Sequence, residues 1–269
     1  MTATAAIQPL ATMPPAARRS IRGVFTDIDD TLSTHGKLTA AAYGAMERLR
    51  AAGKLVIPIT GRPAGWCDHI ARMWPVDAVV GENGALYMRH DAATRKLVRR
   101  FAVDEETRHA NRAQLAAIGD EIIAAVPGCA LASDQHYRES DLAIDFREDV
   151  AELPRVAVDR IVALMQARGL TAKVSSIHVN GWFGAYDKLA MTRTLLGETF
   201  GIDLDHERAS FVFVGDSPND APMFAFFPHA VGVANVRVFA DRIATLPAYV
   251  TRAEAGAGFA ELTDFLLAP

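Results

Sequence analysis

IRGVFTDI (21–28), TAAAYGAMERLRAA (39–52), KLVIPIT (54–60), PAGWCDHIARMW (63–74) and VDAVV (76–80) follow one another early in the chain. The first, third and fifth are apolar runs of strand length, while the second and fourth repeat their apolar residues at helical spacing. Thr39 stands as N-cap of the first helix with Gly53 just past its end, and Pro63 opens the second. Strand, helix, strand, helix, strand predicts a parallel sheet with helices on its faces. Pro58 conflicts with an interior strand, because it has no N–H to give the ladder.

Past Gly84 the rhythm changes. GALYMRH (84–90) and KLVRRFAV (96–103) read as a hairpin, and 104–126 as a long amphipathic helix. LAIDF (142–146), TAKVSSI (171–177) and HVNGWF (178–183) are short strands, with a helix over 154–168 between the first two. From Tyr186 the first rhythm resumes: helix 187–200, strand SFVFVG (210–215), a helix near 218–227, strand AVGVA (230–234), a strand AYVT (248–251) and a closing helix over 258–268. The expected fold class is α/β, a Rossmann-like parallel-sheet core with an inserted α+β cap. The core spans 21–102 and 185–269 and the cap 103–184. Residues 1–20, rich in Ala, Thr and Pro, are expected to form a disordered tail.

The 269 residues are 50% hydrophobic and 22% charged, with a formal charge of −4, which describes a soluble globular chain and excludes collagen, coiled coil and wholesale disorder. With no run of basic residues, nucleic acid and anionic membranes are not expected partners. No stretch of 18 apolar residues occurs, so no transmembrane span is expected. A secretory signal carries its charge ahead of the apolar part, whereas Arg18 and Arg19 follow it, and a cytoplasmic location is expected. Cys67 and Cys129 lie far apart, which indicates neither a disulfide framework nor a zinc site. Oligomeric state is not legible.

Asp27, Asp29 and Asp30 stand at the end of the first strand, and Asp216 and Asp220 just beyond the strand FVFVG. Ligands of open α/β sheets bind outside the carboxyl ends of strands, where the strand order reverses, so the two acidic groups are expected to meet in one crevice. Carboxylates gathered there need a cation, and oxygen ligands suit Mg2+. A carboxylate beside Mg2+ can act as a nucleophile, and a hydroxyl and an ammonium, Thr60 and Lys188, can hold the oxygens of a transferring phosphoryl group.

DIDDT (27–31), ITGR (59–62), Lys188 and GDSPND (215–220), in this order and context, resemble the haloacid dehalogenase-like hydrolase superfamily. The insertion, together with GENGA (81–85), is similar to the subfamily IIB type with a C2 cap. The resemblance implies a Mg2+-dependent phosphatase acting on a phosphate monoester, a sugar phosphate or phosphorylated glycoside, through an aspartyl-phosphate. It makes Asp27 the nucleophile and a metal ligand. Asp29 becomes the general acid and base, ligating the metal through its backbone carbonyl. Thr60 and Lys188 bind phosphate, Asp216 holds the metal, and Asp220 completes the metal site through water or orients Lys188. Asp30 departs from the pattern, standing where many relatives have Gly; if the position needs positive φ, Asp tolerates it less freely than Gly.

Arg62, Asn83, Arg138, His178 and Asn180 are the candidate substrate-binding residues. Asn83 serves equally as a turn residue. His178 and Asn180 share one strand face by the two-residue period, and that face is either the substrate's or the solvent's. Cys67 and the methionines read as core, and Trp182 as packing. Two alternatives remain: a phosphomutase, which would need a second phosphate pocket built from Arg138, Arg147 and Lys173, and a non-catalytic sugar-phosphate sensor.

Overall fold

The structure, a computed structural model, describes residues 7–269. The chain divides into two compact units. Among the described residues, the first takes in those up to Ile59, Met73–Ala78 and Arg193–Pro269; the second is Thr60–Arg72 and Val79–Thr192. The second unit is therefore larger than the insertion expected over 103–184. It also holds Thr60, Arg62, Asn83 and Lys188.

In the first unit six parallel strands lie in the order Gln8–Pro9, Tyr249–Val250, Val231–Gly232, Phe211–Gly215, Gly23–Thr26 and Leu55–Pro58. The inner strands Gly23–Thr26 and Phe211–Gly215 are buried along their whole length, as strands covered on both faces must be. Phe25 anchors their packing, with ring centroids 5.1 Å from Phe211 and 5.4 Å from Phe227. Helices Ala40–Ala51 and Ala255–Leu267 pack together, burying Met46 and Leu49 from one and Phe259 and Leu262 from the other. Thr39 caps the first of these by accepting from Ala42 N, as its sequence position predicts. Pro58 is accommodated because Leu55–Pro58 is an outer strand of this sheet and Pro58 its last residue.

Two expectations are corrected. VDAVV does not extend the parallel sheet: Val79–Gly81 pairs antiparallel with Leu86–Asp91, which pairs in turn with Lys96–Phe101. The reversal is made by three consecutive residues with positive φ, Glu82 (46°), Asn83 (54°) and Gly84 (104°), which turn the chain back at once. Nor is the N-terminal segment disordered from Ile7 onward. Gln8–Pro9 pairs with Tyr249–Val250, Leu10 and Met13 are buried, and Pro15–Ser20 is helical; residues 1–6 lie outside the described residues.

The second unit contains an antiparallel sheet in the order Thr171–Val174, His178–Trp182, Asp141–Asp145 and Ala130–Leu131. Helices Glu105–Ala125 and Arg155–Ala167 cover one face of it through a core that includes Leu115, Ile122, Ile144, Ile161, Met165 and Val179. Residues 142 and 144 point to this core, so 141, 143 and 145 face the other way. No helix among the described residues is long and apolar enough to cross a membrane.

Candidate active site

In the first unit the chain runs from Gly23–Thr26 to Leu55–Pro58 on one side, and the later strand Phe211–Gly215 lies on the other. Strand order reverses between these neighbours, and Asp27 and Asp216 are the first residues past their carboxyl ends. This is where the sequence places a crevice. The carboxylates of Asp27, Asp216 and Asp220, all buried, offer oxygens within 4.8 Å of one another.

Local structure explains how each is held. Asp27 N donates to Val214 O at 2.9 Å, which locks the strand end beside its neighbour. Asp220 folds back over the turn, where its Oδ2 accepts from Asp216 N at 3.1 Å and Ser217 N at 3.3 Å, one half of a capping box with Ser217. Gly215 makes room for this, because a Cβ there would lie 2.3 Å from Asp220 Oδ2. Asp216 accepts from Thr31 Oγ1 at 3.4 Å and Asn235 Nδ2 at 3.1 Å. Asn235 also donates to Asp30 O at 2.9 Å and accepts from Ala255 N at 3.0 Å, tying three loops together. Asn235 escaped the sequence reading, although it stands just past the strand Val231–Gly232, a position that marks it. Asp29 is only partly buried and its carboxylate is not one of the three. Asp30 does take positive φ, at 56°, the conformation its glycine-like position called for. Three carboxylates in this geometry are a hard, all-oxygen donor set, which fits Mg2+.

In the second unit, Thr60 and Lys188 are both buried. Thr60 Oγ1 accepts from Arg62 N at 3.0 Å, while Thr60 O accepts from Asn83 N at 3.0 Å. Asp187 caps the helix that Lys188 opens by accepting from Ala190 N at 2.7 Å, which offsets the cation's poor position on the helix dipole. Arg62, Arg138, His178 and Asn180 are brought together by carboxylates that the sequence reading did not single out. Asp134 joins Arg62 (3.2 Å) to Arg138 (2.9 Å); Asp141 joins Arg138 (3.0 Å) to Asn180 (2.8 Å); Glu148 joins Arg62 to His178 Nε2 (2.8 Å). The shared face of His178 and Asn180 is thus a buried polar one. Burial alone would raise the Glu148 carboxyl, but hydrogen bonds from His178 and Arg62 and their charges hold it down at about 2. Cys67 is fully buried, which pushes its thiol up and makes it the core residue expected. Trp182 is also core, with its ring stacked on Tyr186.

Glu82 is the most consequential residue missed. Its buried carboxylate accepts from Ala64 N (2.9 Å), Glu139 N (2.9 Å) and Ser140 N (2.6 Å). Burial, with the charge of Asp141, pushes Glu82 up to about 8 against the pull of Arg138 and the backbone donors. A glutamate in the unfolded chain ionises near 4.5. Between these values the unfolded state binds fewer protons than the folded one, so stability falls as pH rises. Wild type is expected to lose stability from pH 5 to pH 8, and Glu82→Gln, which cannot ionise, to lose less. Urea unfolding midpoints at the two pH values check this; equal slopes would refute it. Glu148 acts in a separate window, its stabilisation being present above about 4.5 and lost as pH falls through about 2.

Residues 24–121 match the family model of the haloacid dehalogenase-like hydrolases. No curated protein matches the chain. Among solved structures it is similar to a protein of Thermoplasma acidophilum at 18% identity, over 91% of this chain and 98% of that one, with a TM-score of 0.67. It is similar to the sucrose-phosphatase of Synechocystis, solved in complex with sucrose and phosphate, at 14% identity over 91% and 98%, TM-score 0.63. The C-terminal domain of C. albicans trehalose-6-phosphate phosphatase gives 12% identity over 93% and 94%, TM-score 0.66. At these identities the structural likeness is one of fold. The family model of the haloacid dehalogenase-like hydrolases thus covers the stretch that holds DIDDT (27–31) and ITGR (59–62), and the chain shares the fold of these structures over about nine-tenths of its length.

Proposed function

We propose that the chain is a Mg2+-dependent phosphatase that hydrolyses a phosphate monoester, of the sugar-phosphate or phosphorylated-glycoside class. The observation that carries this reading is the group of buried carboxylates of Asp27, Asp216 and Asp220 at the point where strand order reverses. The sugar-phosphate class is supported by the names of the similar structures, a sucrose-phosphatase and a trehalose-6-phosphate phosphatase.

Asp27, Asp216 and Asp220 would hold Mg2+, with the backbone carbonyl of Asp29. The ion when bound supplies positive charge against the phosphoryl oxygens. Asp27 attacks phosphorus, forming an O–P bond as the bond to the alcohol oxygen breaks, and Asp29 gives that oxygen its proton. Asp29, now a carboxylate, takes a proton from water, whose oxygen attacks phosphorus and frees Asp27 and inorganic phosphate. The half-buried position of Asp29 suits a group that exchanges protons twice per turnover. Thr60 and Lys188 hold phosphoryl oxygens; because Thr60 Oγ1 already accepts from Arg62 N, its proton is directed to another acceptor.

Phosphate release from a panel of sugar phosphates and p-nitrophenyl phosphate, with Mg2+ and with EDTA, tests the reading. Release that requires Mg2+ is expected. Release undiminished by EDTA would overturn the metal dependence, and no release from any compound would overturn the phosphatase.

A further inference from the structure

A substrate with a second anionic group would need a cation to receive it, and the two buried guanidiniums of the second unit are already committed. Arg138 donates from Nε to Asp134 Oδ1 at 3.0 Å, and from Nη1 to Gly61 O at 2.8 Å and to both oxygens of Asp141 at 3.0 and 3.1 Å. Arg62 contacts Asp134 and Glu148, and the ring of Trp66 lies 4.4 Å from its guanidinium carbon. Three carboxylates, Asp134, Asp141 and Glu148, thus engage two guanidiniums. Of the other cations open to a second phosphate, Arg147 lies 3.8 Å from Glu152, and Lys173 is exposed. The network is also bound to the phosphate-binding loop, since Arg62 N donates to Thr60 Oγ1 and Arg138 to Gly61 O. A phosphoryl group held at Thr60 therefore has these carboxylates within the same unit.

Resting on the phosphatase reading, we infer that the alcohol esterified to the phosphate is rich in hydroxyls and carries no second phosphate or carboxylate. Glu148 is the residue that enforces this. Its side chain is 24% exposed, against 6% for Asp134 and 0% for Asp141, so it is the carboxylate of the network that a ligand reaches. An ionised carboxylate accepts hydrogens from hydroxyls and has none to give an anion. A second anion must approach Glu148 in a poorly solvated site or strip it from Arg62 and His178, and like charges so placed repel strongly. The same argument removes the second-phosphate pocket that a mutase requires.

The test measures phosphate release and calorimetric binding with Mg2+ for a hexose 6-phosphate, the hexose 1,6-bisphosphate and p-nitrophenyl phosphate. Wild type is expected to favour the monophosphate over the bisphosphate by about 100-fold in affinity and kcat/KM. Glu148→Gln, or Asp134→Asn should that variant not fold, is expected to narrow the gap by roughly 10-fold. Equal handling of the two sugars by wild type, activation by the bisphosphate, binding of neither, or a gap unchanged in a folded variant would each overturn the inference. Failure of the phosphatase reading looks different: no release from any compound, p-nitrophenyl phosphate included, with the binding preference intact.

Discussion

Asp27→Asn is expected to abolish phosphate release and, in EDTA, to raise the melting temperature. On the proposed mechanism the first effect follows from removing the attacking atom: loss of a nucleophile with the rest of a site intact costs roughly 10⁴-fold or more. The second follows from charge. Carboxylate oxygens within 4.8 Å of one another, all three groups buried, repel by about 3 kcal/mol per pair at an effective dielectric near 20. Neutralising Asp27 removes two of the three pairs, while its backbone bond to Val214 O stays in place. The gain reverses when metal is added. If the site holds Mg2+ as proposed, wild type is expected to gain stability in proportion to the logarithm of the ion's concentration over Kd, and the variant, with one ligand weakened, to lose most of that response. Melting curves with and without Mg2+, beside phosphate assays, separate the claims. Turnover retained by the variant would remove Asp27 as nucleophile, and an unchanged metal response would remove it as ligand.

How much of this site the sequence reveals depends on how local the causes are. Asp27 and Asp216 were legible because two strand-length runs, VFT and FVFVG, end on them, and in a parallel sheet the ends of neighbouring strands meet. Asp220 follows from the short turn and its capping box. The carboxylates of the second unit are another matter. Glu82, Asp134, Asp141 and Glu148 sit in a turn, a loop, a strand and a loop, with no common spacing, and only tertiary folding collects them around Arg62 and Arg138. The turn at Glu82 hides for a related reason. Two non-glycine residues there take positive φ, which no sequence rule for Glu suggests, and that conformation sends Val79–Gly81 into a hairpin instead of the parallel sheet. The Gln8–Pro9 strand is too short to carry periodicity, and its partner is near the other end of the chain.

Gly84→Ala is expected to reduce kcat/KM by at least about 100-fold and to destabilise the fold, because this glycine meets two requirements at once. Its φ of 104° lies in a region that residues with a Cβ rarely adopt, a strain of order 1–3 kcal/mol. A Cβ there would also stand 2.0 Å from Asp187 O, 2.2 Å from Asp187 C and 2.8 Å from Lys188 N. These are backbone atoms at the start of the Lys188 helix, so no side chain can rotate aside and the helix start itself must shift. With Lys188 holding the phosphoryl group as proposed, a displacement of about 1 Å is enough for a 100-fold loss. Gly44→Ala supplies the contrast. Gly44 lies inside helix Ala40–Ala51 with ordinary φ and nothing within 4 Å of a new Cβ, so alanine there is expected to stabilise by about 1 kcal/mol through helix propensity and to leave kcat/KM unchanged. Measuring unfolding free energy and kcat/KM for both variants distinguishes a general intolerance of alanine from the specific approach of residues 187–188 to Gly84. A Gly84→Ala enzyme that keeps wild-type turnover would show that Lys188 does not need the position this contact gives it.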